Sequence, residues 1–171
     1  FDGPVSLATG AISVTTTNDD ITFNHSINGT QTLTLSSGSG AIVIDGAIGD
    51  TGILTALSIN ATDGASGTIE VANIGATNEG VTGAVSIGNN ATNSLTLDGT
   101  IYKTDGTTIY EAKSGGTILL TGADVLIQTK ADDLTFDLGD LVLSTNGTTT
   151  INTNLGSASA AGTLQIDGKI N

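Results

Sequence analysis

The chain has 171 residues, with 24 glycines, one proline and no cysteine, and 17 acidic residues against four basic ones give a formal net charge of −13. This charge argues against nucleic acid as a partner, because phosphate neutralisation requires clustered Lys and Arg, and the lack of cysteine excludes a disulfide framework. No apolar run approaches the roughly 20 residues of a membrane-spanning helix, so the sequence predicts no membrane span.

Apolar residues alternate with Thr, Ser and Asn along most of the chain, which is the period of a half-buried β-strand. Such runs start about 10 residues apart, and no window predicts a helix. A looser, Gly-, Ala- and Asn-rich segment covers about 58–93, but no linker divides the chain, so we predict a single β-repeat domain over 1–171. The predicted strands are 11–15, 20–24, 31–36, 41–45, 54–60, 68–73, 84–88, 94–98, 108–112, 117–121, 124–129, 134–137, 141–145, 149–153 and 163–167.

A short phrase, apolar-x-apolar-(Asp/Asn)-Gly-x-apolar, returns along the chain. Each copy predicts a strand, a sharp turn and the start of another strand, because Asp-Gly favours tight turns. The chain also opens inside a copy. The copies are 42–48, 95–101 and 164–170, with a looser one at 21–27 and a partial one at 1–5.

The early copies follow one another at a nearly constant distance. The steps from Phe1 to Phe23 and from Phe23 to Ile44 are 22 and 21 residues, within the range of stacked repeat architectures. A coil of this length cannot bury both faces of its strands, whereas stacked coils align their Ile, Leu and Val side chains inside. The sequence therefore predicts an all-β parallel β-helix, with an antiparallel β-sandwich as the alternative.

The segment 101–110 is nearly mirror-symmetric about Asp105-Gly106, which is a strong local signal for a β-hairpin. It contains both tyrosines of the chain, Tyr102 and Tyr110. We predict a hairpin in which these tyrosines form a cross-strand pair. The alternative interpretation is a tyrosine-lined contact for a sugar or a protein partner.

The residue types of this chain give little support for an enzyme. The chain has no Arg, and its lysines are scattered, whereas polysaccharide lyases need a basic residue beside clustered carboxylates. We therefore predict that the protein is not an enzyme and that it needs no cofactor. The densest acidic group offers weak candidates for a structural calcium ion, and its members are Asp132, Asp133, Asp137 and Asp140.

Two further features belong to the predicted turns. His25 is the only histidine and takes the turn position that Gly holds in the sister phrases, so we predict an exposed turn residue. Five Asn-x-Ser/Thr sequons are candidates for glycosylation if the protein is secreted by a glycosylating host. They are Asn24, Asn28, Asn60, Asn90 and Asn146.

The repeat style of 21–24, 27–35, 38–42 and 46–49 resembles the β-strand-repeat regions of very large bacterial surface proteins, similar to filamentous-haemagglutinin-type and autotransporter adhesins. The match covers 1–60 best, is fair at 93–101 and 160–171, and is weak between. The resemblance implies a right-handed β-helix in a secreted, extracellular protein of the cell surface, acting as a stalk, fibre or adhesin. It implies no catalytic residues.

The functional prediction rests on the residues at the two ends of the chain. The first residues, 1–5, and the last residues, 166–170, are interpreted as the same phase of the repeat, and no polar capping segment is seen at either end. We predict a structural element of an extracellular fibre, stalk or surface layer that meets copies of itself or adjacent repeats end to end. The alternatives are an adhesin module that binds a host or matrix glycan or protein, and a pilin-like subunit that donates the strand 5–15.

Overall fold

A computed structural model of the chain describes residues 1–62, 64–130, 132–144, 146–154 and 162–171, and over these ranges it contains strands and turns but no helix. Thr145, the end of the predicted strand 141–145, lies outside them. The strands are β1 (Val5–Leu7), β2 (Ile12–Thr15), β3 (Ile21–Phe23), β4 (Ile27–Gly29), β5 (Thr32–Ser36), β6 (Ile42–Ile44), β7 (Ala56–Ile59), β8 (Ile69–Val71), β9 (Val85–Ile87), β10 (Ser94–Leu97), β11 (Ile101–Thr104), β12 (Thr108–Glu111), β13 (Thr117–Leu120), β14 (Leu126–Thr129), β15 (Leu134–Asp137), β16 (Asp140–Leu143), β17 (Thr150–Asn152) and β18 (Leu164–Ile166).

The strands wind into a parallel β-solenoid of about six turns, so the predicted β-helix is confirmed and the sandwich alternative is wrong. Every ladder between named strands is parallel and joins strands of successive coils. Sheet A contains β1-β4 and β11-β14-β17, which isolated bridges at Ile48 and Ile74 connect through the middle coils. Sheet B has the order β2-β5-β7-β9-β12-β15-β18, and sheet C has β3-β6-β8-β10-β13-β16. The right-handedness of the winding stays a prediction.

Aliphatic side chains of successive coils stack in columns inside the solenoid. The parallel register places residues of one column about 4.8 Å apart, so each covers the residue before it. Within the middle coils these side chains are almost fully buried, and each contributes about 1.5–3 kcal/mol through burial. One inner column of sheet B is Val14, Leu35, Ile59, Ile87, Tyr110, Phe136 and Ile166; one of sheet C is Phe23, Ile44, Val71, Leu97, Leu120 and Leu143.

The Asp-Gly phrase forms the corner between sheet C and sheet A. After β6, Asp45 and Gly46 turn the chain toward Ile48, which bridges to Ile27 of the preceding coil. A Cβ atom on Gly46 would overlap backbone atoms of His25. The glycine is therefore required by the close approach of two coils. His25 itself is exposed, which confirms its predicted place in a turn.

Corner carboxylates and amides also tie the coils together. In each case a side-chain oxygen of one coil accepts a hydrogen bond from a backbone N–H of the next coil, which satisfies a donor that the ladders leave free. The acidic composition is thus partly structural. The pairs are Asp20 with Ala41 (2.7 Å), Asn28 with Thr51 (2.9 Å), Asn73 with Ile101 (2.9 Å), Asp124 with Thr148 (2.9 Å), Asp133 with Thr163 (2.7 Å) and Asp140 with Lys169 (3.1 Å).

The predicted hairpin at 101–110 is wrong. β11 belongs to sheet A and β12 to sheet B, and each pairs in parallel with strands of neighbouring coils. Asp105-Gly106 is the corner between these two sheets, and it lies against the backbone of Gly83 in the preceding coil. Coil-to-coil pairing prevails because it buries both tyrosines, whereas a projecting hairpin would expose them.

The phase assigned to the last phrase is also wrong. Phe1 pairs with Phe23 in sheet C, whereas Ile166 lies in β18 of sheet B and Ile170 bridges to Leu141 of sheet C. The segments 1–5 and 166–170 therefore turn different corners. Their letters match because Asp-Gly forms a tight turn at different corners of the coil.

The loose segment 58–93 contains ordinary coils with longer corners. Leu57 pairs with Val85, 28 residues later, while Ile12 pairs with Leu33, 21 residues later. The extra residues that the structure describes lie in loops, and the buried strand positions keep their columns. Loop insertion, rather than a change of fold, explains the irregular spacing.

Candidate functional site

The first coil of the chain presents a partly open apolar surface, which we call the N-terminal end surface. It consists of Phe1, Val5, Ile12 and Val14, which are inward side chains of the first coil and are half-buried or exposed. Phe1 stacks on Phe23 with ring centroids 4.5 Å apart and remains 57% exposed. The same inward positions are fully buried in the middle coils.

The last coil presents a corresponding surface, the C-terminal end surface, formed by Leu143, Ile151, Leu164, Ile166 and Ile170. Leu164 pairs with buried Leu134, and Ile170 bridges to buried Leu141, so both occupy core columns. Nevertheless Ile170 is 60% exposed. Leu143, Leu164 and Ile170 are exposed although their chemistry is that of the core, and Ile151 and Ile166 are half-buried.

The backbone at both ends offers open ladder edges. Sheet B begins at β2 and ends at β18, and each of these strands has a hydrogen-bonded neighbour on one side. Such an edge is a template for another strand, and it is usually covered or charged in proteins that stay monomeric. Here the inward side chains beside the edges are apolar.

The sides of the solenoid differ from its ends. The outward positions of sheet B carry small hydroxyl side chains in register, among them Ser13, Thr34, Ser58 and Ser86. Sheet C carries an acidic group formed by Asp45, Glu70 and Asp98 on three successive coils. Burial and the negative charges of Asp98 and Asp45 raise the pKa of Glu70. Burial also raises the pKa of Asp98. The sides are therefore polar and negative.

The predicted calcium candidates are distributed over two faces. Asp133 and Asp140 use a carboxylate oxygen to hold the backbone of the next coil, and Asp132 is half-buried near them in sequence. Burial and the neighbouring carboxyl group of Asp167 raise the pKa of Asp137. Among the described residues, no three acidic or histidine side chains are placed to hold one metal ion. The calcium site stays a prediction.

An open cleft of about 440 Å³ lies at the corner between sheets B and C in the last coils. It has two carboxylates and one ammonium group on its wall, but Asp140 already accepts from the Lys169 backbone. The cleft is thus polar, with one partly exposed leucine. Its lining residues are Ser114, Gly115, Leu138, Asp140, Asp167, Gly168 and Lys169.

Tyr102 and Tyr110 are fully buried, so the predicted tyrosine-lined surface contact is wrong. Their rings meet edge to face with centroids 6.5 Å apart, and Tyr110 stacks on Phe136 at 5.5 Å. The Tyr102 hydroxyl donates to the carbonyl of Val71 (2.9 Å) and accepts from the N–H of Gly99 (2.7 Å). Burial raises the pKa of both phenols. Parallel stacking places these rings in inner columns, which the local mirror symmetry did not reveal.

The five sequon asparagines lie in different environments. Asn24, Asn90 and Asn146 are exposed, and Asn28 is half-buried with its carbonyl bonded to Thr51. Asn60 is 1% exposed, and its side chain accepts from the Ser37 N–H (2.9 Å) and donates to the Ser37 hydroxyl (3.0 Å). The folded chain therefore does not present Asn60 for glycosylation, which corrects that candidate.

The strand 5–15 forms β1 and β2 of the first coil and pairs with β4 and β5 of its own chain. The donor-strand alternative loses its structural basis, since this segment is already part of the solenoid. Over the described residues no helix is long and apolar enough to cross a membrane. Comparison with protein-family models, with curated proteins and with solved structures finds no match for this chain.

Proposed function

We propose that this chain is a structural element of an extracellular fibre, stalk or surface layer, and that it assembles end to end with like units. The observation that carries the proposal is the exposure of core-type side chains at the two end surfaces. Interior coils bury the same columns completely, so a further coil on either end would convert exposed apolar area into core.

The contrast between ends and sides favours a linear assembly. Apolar end surfaces attract each other in water, whereas a net charge of −13 spread over the sides opposes lateral association. A head-to-tail contact between unlike surfaces generates an open filament when its rotation does not close into a ring. The extracellular location rests on the resemblance to surface-protein repeats and is part of the proposal.

In this proposal the chain has no catalytic role and binds no cofactor. Its function is mechanical and depends on the ladders that run along the long axis. The adhesin alternative would need a ligand contact other than the tyrosines, since both lie inside the core.

Light scattering and negative-stain imaging of the isolated chain test the proposal. We expect head-to-tail oligomers whose length grows with protein concentration. The variant Leu143→Ser should weaken association at least 10-fold, because Leu143 belongs to the C-terminal end surface. A folded protein that stays monomeric over the whole concentration range would contradict the proposal.

Leu138→Ser is the matched control. Leu138 and Leu143 are both 40% exposed, but Leu138 lines the lateral cleft. We expect Leu138→Ser to leave association unchanged. Equal effects of the two substitutions would show that the sides, and not the ends, make the contact.

A further inference from the structure

The register at the C-terminal end surface specifies where a following residue would lie. Ile170 bridges to Leu141, and the Asn171 N–H donates to the Leu141 carbonyl (3.0 Å). The Leu143 N–H in turn donates to the Asn171 carbonyl (3.0 Å). In a parallel ladder a residue bonds to the two positions that flank its register partner. The partner of Leu143 is therefore the position after Asn171.

The N-terminal end surface starts at the corresponding register. The Phe1 amino group donates to the Thr22 carbonyl (2.6 Å), and the Asn24 N–H donates to the Phe1 carbonyl (3.0 Å). These two bonds make Phe1 the partner of Phe23. Phe23 belongs to the column of sheet C that ends at Leu143. Phe1 and the position after Asn171 thus belong to the same column of the same sheet.

We infer that two copies of this chain placed end to end share one divided strand of sheet C, in which Ile170-Asn171 of the first copy supplies the first half and Phe1-Asp2 of the second copy supplies the second half. This inference rests on the proposed function and adds the register of the contact. Phe1 would cover Leu143 of the preceding copy while keeping its own stack on Phe23. Ile170 would pair with Ile21 of the following copy.

The sequence of the divided strand agrees with this register. Read across the junction, Ile170-Asn171 and 1–5 give Ile-Asn-Phe-Asp-Gly-Pro-Val, which is a full copy of the apolar-x-apolar-Asp-Gly-x-apolar phrase. The copies at 42–48 and 95–101 run from sheet C through the same corner to sheet A. The junction therefore restores both the side-chain alternation and the corner chemistry of interior coils.

A chain of two copies, with Asn171 of the first joined directly to Phe1 of the second, tests the register. The protein has no cysteine, so a single designed pair reports one contact. We substitute Ser144→Cys in the first copy and Asp2→Cys in the second, because the inferred register makes these outward residues direct neighbours. Adjacent parallel strands are about 4.8 Å apart, which permits a disulfide. Mild oxidation should cross-link nearly all of the protein.

The control pair is Val142→Cys with Asp2→Cys. Val142 also points outward, but it lies two residues away along the strand, which gives a diagonal separation of about 8 Å, beyond disulfide reach. We expect at least 5-fold less cross-linking. Inserting one glycine between Asn171 and Phe1 should lower the Ser144 cross-link to the control level, because it shifts every following side chain to the opposite face.

The outcomes separate the register from the proposed function. Equal cross-linking of the two pairs, or a preference for Val142, would overturn the divided strand even if isolated chains assemble. Monomeric isolated chains together with the expected cross-link would contradict unaided assembly and support the register. Two copies that melt independently, with no cross-link in either pair, would overturn both.

Discussion

Ile87 and Ile166 belong to the same column, yet they differ in what covers them. Ile87 lies between Ile59 and Tyr110 and is fully buried, whereas Ile166 has Phe136 on one side only and is half-buried. In a solenoid each coil contacts only its neighbours, so the stability that an inward side chain contributes depends on whether both neighbouring coils are present. The middle coils therefore behave as a protein core, and the terminal coils as an incomplete one.

The largest expected effect is the difference in lost stability when each of the two isoleucines is replaced by Ala. We expect Ile87→Ala to lower the free energy of unfolding by about 3 kcal/mol, through lost burial and a cavity, and Ile166→Ala by about 1 kcal/mol. Urea unfolding of each variant measures both. Equal losses would mean that the terminal coil is covered in solution.

Adding a second copy should reduce this difference. In the two-copy chain Ile166 of the first copy gains a covering coil, so Ile166→Ala there should cost about 2–3 kcal/mol. The same substitution in the second copy should still cost about 1 kcal/mol and serves as the internal control. A result of about 1 kcal/mol at both sites would indicate that the copies do not stack.

The tyrosines test whether the interior tolerates polar groups. Tyr102→Phe should destabilise the chain by about 1–2 kcal/mol, because the N–H of Gly99 and the carbonyl of Val71 lose their partner. Tyr110→Phe should stabilise it by about 1 kcal/mol, since the buried Tyr110 hydroxyl has no partner among the described residues. Thermal unfolding compares the two variants. Destabilisation by Tyr110→Phe would point to a bound water at that hydroxyl.

The smallest expected change in stability concerns Glu70, on the acidic side of the solenoid. Because the pKa of Glu70 is raised in the folded state, its ionisation opposes folding at neutral pH. Glu70→Gln should therefore stabilise the protein at pH 7 by about 0.2–0.5 kcal/mol. The gain should fade as the pH falls through the raised folded-state pKa toward the ordinary value of 4.5. A gain that persists below that value, measured by unfolding at several pH values, would contradict a charge effect.

Much of the architecture could be predicted from local chemistry. Alternation at period two in segments such as 32–36 and 94–97 specifies strands with one buried face, and Asp45-Gly46 specifies a corner. The constant early spacing specifies stacking.

Pairing between coils decided what local patterns could not. The letters at 101–110 fit a hairpin and a coil corner equally well, and those at 164–170 fit any corner, because both depend on contacts more than 20 residues away. The same long-range register buried Tyr102 and Asn60 and aligned Phe1 with the column that ends at Leu143. Side-chain alternation sets which face of a strand is buried, but only the stacking of coils sets which residue covers it.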